Sequence, residues 1–258
     1  MRVLKQINQH CYDLAEAVVT VRPTEMCQMG EWLRVAADIK SVNLDWIRFD
    51  DQFGWCSNAD RYELAKQDVV RKHVTSMAVF LFVWGALEAA VEAISPPPHP
   101  DKSRQGKINS ACHYISKYFK TTLTIRPYRE VLCQFTGLLS RSASFQRLAA
   151  ELSLPTHIGE EGFGLFIVYK LRNEFSHGDT IFPVPDDEHR PISDDPTIVK
   201  VATRIVLLSI QMLFLVRYAD EAITIDRSSR YVNPEIPLNE WLRILHYKQD
   251  DPGNDLFS

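Results

Sequence analysis

Met77, Phe80, Trp84, Leu87, Val91 and Ile94 recur every three or four positions, so a single apolar stripe runs along one side of a helix spanning Val74 to Ile94. A strand cannot hold that spacing on one face, because its side chains alternate with period two. Ser95-Pro96-Pro97-Pro98 ends the helix, since proline lacks a backbone donor and disfavours helical geometry in the residue before it. A second stripe of the same period runs through Ile198, Val201, Ile205, Leu208, Met212 and Leu215. Two long helices of this kind need a common core, and they make the expected fold all-α.

The rest of the chain supports that expectation. Val3 to Val21, Met26 to Ile39, Asn109 to Phe119, Tyr128 to Leu152 and Gly162 to His177 read as further helices, and Thr122 to Ile125 is the one short alternating segment. Between Gly178 and Pro196 lie Pro183, Pro185, Pro191 and Pro196 with six acidic residues, a composition expected of an exposed loop. After Asp226 a short amphipathic piece around Trp241, Leu242, Ile244 and Leu245 precedes a polar, acidic tail expected to be mobile. The organisation expected is an N-terminal helical segment over residues 1–60 packing on a helical domain over 61–225, then a C-terminal extension over 226–258.

With 45% hydrophobic residues, the 258-residue chain has the composition of a folded globular protein. Its formal charge of −4 gives no global attraction to a polyanion, so nucleic-acid contact needs a local basic patch. The five cysteines (Cys11, Cys27, Cys56, Cys112, Cys133) are widely spaced and read as buried free thiols. The first residues lack the apolar core and small-residue cleavage site of a secretory signal, which points to the cytoplasm. Val74 to Leu87 and Ile205 to Val216 carry no charge but are shorter than a bilayer requires, so they are expected to be core helices with no membrane partner.

Chemistry concentrates at Arg172-Asn173-Glu174-Phe175-Ser176-His177. On a helical wheel Arg172, Ser176, Tyr169, Asn173 and His177 follow one another around a single face, less than half the circumference. Leu165 and Phe166 share that arc, so the face is not simply solvated. A purely structural account also exists: Gly178 suits a helix C-terminus, and cationic Arg172 and His177 complement the macrodipole there.

The order of the letters here resembles the HEPN superfamily, helical proteins in which an Arg, usually followed by Asn, and a His with four to six residues between them form a motif near the end of a core helix. Arg172 and His177 have four residues between them. Tyr169-Lys170-Leu171 leads into the motif and Gly178-Asp179 follows it. Upstream, Phe80 to Glu88 is similar to an earlier core helix of that family, which often carries a carboxylate facing the Arg. The resemblance covers about Ala65 to Ala222.

It implies a HEPN-like helical bundle with additional N-terminal helices and a short C-terminal extension, acting as a metal-independent endoribonuclease and assembled as a homodimer with both motif helices at the interface. His177 would move protons, Arg172 clamp phosphate, and Asn173 orient one or the other; Glu88, Tyr169 and Ser176 would support them. The resemblance also suggests a toxin-like role in stress or phage defence, with an antitoxin or regulatory protein as a further partner. Some members carry a Tyr two residues after the His that a nucleotidyltransferase antitoxin modifies. Here that position is Asp179, so no nucleotidyltransferase partner is inferred. Many members have lost catalysis, and a non-catalytic interaction or regulatory module is the alternative.

Lys102, Arg104, Lys107, Lys117, Lys120, Arg126 and Arg129 occur without an acidic residue among them and with Tyr114, Tyr118, Phe119 and Tyr128 interleaved, the best candidate RNA contact in the chain. The same pattern arises when the aromatics face a core and the cations form a solvated rim. Cys112-His113 and His10-Cys11 lack a second ligand pair, so no metal site is expected. His73, beside Arg71 and Lys72, reads as a surface residue. No Gly-rich phosphate loop follows a strand, and no cofactor is expected. The aromatics around Trp84 and Tyr169 leave a small-ligand-binding domain as a third, weaker reading.

Overall fold

A computed structural model describes residues 3–21, 24, 26–45, 47–49, 51, 53–119, 125–153, 155, 158–178, 182–185, 193–218, 220–225 and 236–248. Among them are nine α-helices: α1 (Ile7–Val21), α2 (Cys27–Asp38), α3 (Ser57–Ile94), α4 (Lys107–Tyr118), α5 (Pro127–Leu139), α6 (Gln146–Ala150), α7 (Glu160–His177), α8 (Asp195–Tyr218) and α9 (Leu238–Ile244). Strand is confined, among the described residues, to a two-residue antiparallel pair, β1 (Thr224–Ile225) with β2 (Ile236–Pro237). The fold is all-α.

The central element is α8, hydrophobic on every side and buried along nearly its whole length, as such a helix must be in a globular core. Packed on it are α3, α5, α7, α1, α4 and α9. Thr203 and Ser209, buried within it, donate their hydroxyls to the carbonyls of Val199 and Ile205 four residues back, which removes the cost of burying them.

The Val74–Ile94 stripe is the C-terminal part of a 38-residue helix, α3, so position 60 falls inside a continuous element. It stops as expected: Ser95 takes a left-handed conformation (φ 49°), its N–H bonded to the Val91 carbonyl, because Pro96 denies it helical geometry. Counted over whole helices, α3 and α8 each contain an 18-residue stretch apolar enough to cross a membrane by length and composition, wider than their uncharged runs. Within the fold, 94% of that stretch in α8 and 50% in α3 is buried.

Several expectations are corrected. Tyr128 to Leu152 is not one helix but α5 and α6, separated by residues 140–145. The Ser142 and Ser144 hydroxyls there donate to the two carboxylate oxygens of buried Asp195 at 3.0 and 2.7 Å, tying the break to the start of α8. The expected loop over 178–196 is not wholly exposed: Pro183 and Pro185 are buried, and so are Asp195 and Pro196, which already belong to α8. Cys11 and Cys112 are buried thiols, but Cys27, Cys56 and Cys133 are exposed. Residues 122–124 of the strand candidate, 179–181 and 186–192 of the acidic loop and 249–258 of the tail lie outside the described residues.

The N-terminal segment meets the stretch after α9. Leu4 bridges Tyr247, Lys5 N–H donates to the His246 carbonyl at 2.9 Å, and Lys248 N–H donates to the Val3 carbonyl at 2.8 Å. Beneath that seam, His10 of α1, Arg204 and Gln211 of α8, and His246 after α9 form a buried polar chain.

Candidate functional site

The site is made where α3 and α7 face each other through aromatic rings. Phe80, Trp84 and Glu88 follow at four-residue steps on one line of α3, and Tyr169, Arg172 and Phe175 at three-residue steps on α7, so each set presents one ridge. Trp84 stacks on Tyr169 (centroids 6.2 Å, planes 13° apart), and Phe175 meets Phe80 and Phe145 edge-on at 5.9 and 6.1 Å.

The other half of α7 is fixed by close approach to its neighbours. A Cβ on Gly162 would lie 2.4 Å from the Cys112 carbonyl of α4, and one on Gly164 2.6 Å from the Tyr128 hydroxyl of α5. Only glycine permits that contact. The helix therefore enters the core at its N-terminal half and carries its C-terminal turn outward. It ends on Gly178 (φ 71°), which caps it by donating to the carbonyls of Glu174 and Phe175.

Glu88 and Arg172 are brought near each other, the placement that the resemblance implies. The Trp84 indole N–H donates to Glu88 Oε1 at 2.7 Å, and the same oxygen lies 4.0 Å from Arg172 Nη2. That is too long for a hydrogen bond, and the two side chains are 50% and 35% exposed, so the pair contributes well under about 1 kcal/mol to stability. The guanidinium is thus aimed rather than consumed, with most of its five N–H donors unpaired among the described residues. Asn173 is half-buried beside it.

His177 is exposed on the last turn, and it does not converge with Arg172 within one chain. Five helical steps separate the two by ~7.5 Å along the axis and ~140° around it. Ser176 is exposed, but its hydroxyl donates to the Arg172 carbonyl at 3.0 Å, so it acts within its own helix. Tyr169 is a half-buried stacking partner, not a solvent-facing group. On the far side of Glu88 a cleft of about 320 Å³ is bounded by Trp32, Gly85, Glu88, Glu92 and Lys107, and its two carboxylates make it a poor berth for phosphate.

The basic run over 102–129 folds differently from a continuous binding strip. Arg104, Lys107 and Arg129 lie 3.4, 3.2 and 2.8 Å from Asp101, Glu92 and Glu160, carboxylates that the run itself lacks. Phe119 and Tyr128 are buried, which removes them as stacking platforms; burial also pushes the Tyr128 hydroxyl pKa up. Lys102, Lys117 and Arg126 are exposed, the Lys117 ammonium lying 5.1 Å from the exposed Tyr118 ring; Lys120 lies outside the described residues.

Two histidines depart from the sequence reading or escape it. His73 is not on the surface: it is 1% exposed, edge-on to Phe175 and Phe182, and burial lowers its pKa despite Asp195 nearby. The signal is present in the sequence, since His73 precedes Phe80 by two helical turns on the same stripe. His10 belongs to the buried polar chain, and nothing local marks it. No protein-family model matches this chain, and comparison with curated proteins and with solved structures returned no match.

Proposed function

We propose that the chain is a metal-independent endoribonuclease of the HEPN type that works as a homodimer. The observation that carries this reading is the exposed C-terminal turn of α7, on which Arg172 faces the Trp84–Glu88 arm with its donors largely unpaired among the described residues while His177 is exposed at the helix end. A two-fold axis beside that turn would assemble two Arg172 and two His177 into one site, supplying what one protomer lacks.

In such a site one His177 takes the proton from an RNA 2′-hydroxyl as its oxygen attacks the adjacent phosphorus. The bond to the departing 5′-oxygen breaks, and the second His177 protonates that oxygen, leaving a 2′,3′-cyclic phosphate and a 5′-hydroxyl. Arg172 donates to the non-bridging phosphate oxygens, whose charge grows in the transition state, and Asn173 orients phosphate or imidazole. The resemblance extends the reading to a toxin-like cytoplasmic effector in stress or phage defence, with an antitoxin or regulatory protein as partner.

A second reading, a non-catalytic interaction module, draws on a different observation. Trp84, Tyr169, Glu88 and Arg172 together join α3 to α7, so Arg172 has a structural use already. Labelled RNAs incubated in EDTA with wild type, Arg172→Ala and His177→Ala, each checked for folding and dimerisation, separate the two. Cleavage by wild type alone with cyclic phosphate ends supports the nuclease. Inactivity of a folded wild-type dimer, or undiminished cleavage by both variants, moves the assignment to the module.

A further inference from the structure

On the other side of α3 lies a half-open cleft of about 380 Å³ between α1, the segment after α2, α3 and α8. It sits within the size range of small-molecule sites and suits a mononucleotide. Its charge runs against that of the chain. Lys40, Arg71, Lys72 and Lys200 line it and, among the described residues, no acidic one does, in a protein with 33 acidic and 29 basic side chains. Asp68 outside it pairs with Arg71 and, at 2.6 Å, with Lys72, so the four positive charges less one leave about three for a ligand. Lys40 and Lys200 are exposed and make no ion pair with another described residue.

The walls are held in place without a ligand. The Asn8 side-chain amide donates to the carbonyls of Ala37 and Ile39 at 2.8 and 2.9 Å, satisfying the end of α2. Val42 N–H donates to the Thr75 hydroxyl at 2.9 Å, and the Gln67 amide donates to the Leu44 carbonyl at 3.0 Å, pinning the irregular segment onto α3. The cleft is thus preformed, which spares a ligand the entropy of ordering it. Ile7, Ile39 and Val79 give part of it an apolar lining.

Of the four hydroxyls among the described lining residues, all but that of Ser41 are already committed. Thr75, Ser76 and Thr203 donate to the carbonyls of Arg71, Lys72 and Val199. Recognition therefore comes mainly from the cations, with the Ser41 hydroxyl as one further donor, and so as charge more than as a fitted donor array. From this arrangement we infer that the Lys40–Arg71–Lys72–Lys200 cleft binds a small phosphate-bearing molecule of nucleotide size. It is separate from the Arg172 turn: Arg71, Thr75 and Val79 lie on the α3 face that turns away from Phe80, Trp84 and Glu88, so the inference stands whether or not the chain cuts RNA.

The test is titration calorimetry with ATP, ADP, AMP, adenosine, tripolyphosphate and a short single-stranded RNA, at about 50 and 300 mM salt. Wild type is compared with Lys40→Glu, Lys200→Glu and Arg61→Glu, a matched charge reversal on α3 outside the cleft. The inference expects affinity to rise with phosphate number, to fall with salt, and to drop on the order of tenfold in each cleft variant but not in Arg61→Glu. Tripolyphosphate binding as tightly as ATP assigns recognition to phosphate alone, and a clear advantage for ATP adds a base contact. Three outcomes overturn the inference: no phosphate-bearing probe binds; the cleft variants match Arg61→Glu; or only the RNA binds. Because binding is read directly, its failure is distinguishable from failure of RNA cleavage.

Discussion

Two places in this molecule combine arginine and histidine, and their surroundings give them opposite properties. At the end of α7, Arg172 is half-exposed and His177 exposed, with one long contact to Glu88 among the described residues. Beneath the seam between the N-terminal segment and the stretch after α9, Arg204, His10, Gln211 and His246 are buried in a directional chain. Arg204 can only donate, so His10 Nδ1 accepts its Nη1 at 2.6 Å and carries its own proton on Nε2, which donates to Gln211 Oε1 at 2.7 Å. The Gln211 amide then donates to the Leu242 carbonyl and to His246 Nδ1 at 3.2 Å, leaving a proton on His246 Nε2, a buried atom with no partner among the described residues. Paired donors, all but the His246 Nε2–H, together with desolvation make the inner cluster a fastener between α1, α8 and α9. Water access, and donors unpaired among the described residues, leave the outer pair accessible.

The contrast breaks most readily at Gln211. Gln211→Leu leaves the His10 Nε2–H, the Leu242 carbonyl and His246 Nδ1 unpaired, and a loss of about 3 kcal/mol or more is expected in urea unfolding. A loss under about 1 kcal/mol would mean that the network holds nothing together. At the outer pair the expectation reverses: Arg172→Ala and His177→Ala change stability by no more than about 0.5 kcal/mol, while RNA cleavage falls about 10² to 10⁴-fold.

Acid sharpens the comparison further. Burial, then the Arg204 charge, lowers the His246 pKa to about 3, and the same causes in that order hold His10 well below its usual value. Both stay neutral in the fold, whereas in the unfolded chain they bind protons near pH 6.5. Their contribution is therefore complete above about pH 6.5 and is lost as pH falls toward 3, at up to about 1.4 kcal/mol per pH unit for each histidine. Unfolding midpoints measured across that window check this; a flat profile contradicts the neutral assignment. The smallest effect belongs to Glu88→Gln, expected to cost no more than about 0.5 kcal/mol because its pair with Arg172 is long and half-exposed. A larger loss by thermal unfolding would place Glu88 among the structural groups and weaken the case for an available Arg172.

What the sequence determined by itself is everything governed by local spacing. The three-four stripes predict the core of α3 and α8, Pro96 places the end of α3, and Gly178 the end of α7. Repeating side-chain positions and backbone limits act within a few residues, so they are legible without knowing the fold. The candidate roles of Glu88 and Arg172 come from the family resemblance, and the aromatic ridges bring the two residues face to face.

What only the tertiary structure decided involves partners far apart in the chain. The break between α5 and α6 depends on Ser142 and Ser144 meeting Asp195, more than fifty positions later. The burial of His73 depends on Phe175 and Phe182 covering it. The fastener joins His10 to residues 194 and 201 positions away, and the basic cleft gathers its cations from three separate segments. Such contacts leave no periodic trace, because each is fixed by how whole helices pack and not by the order of neighbouring residues.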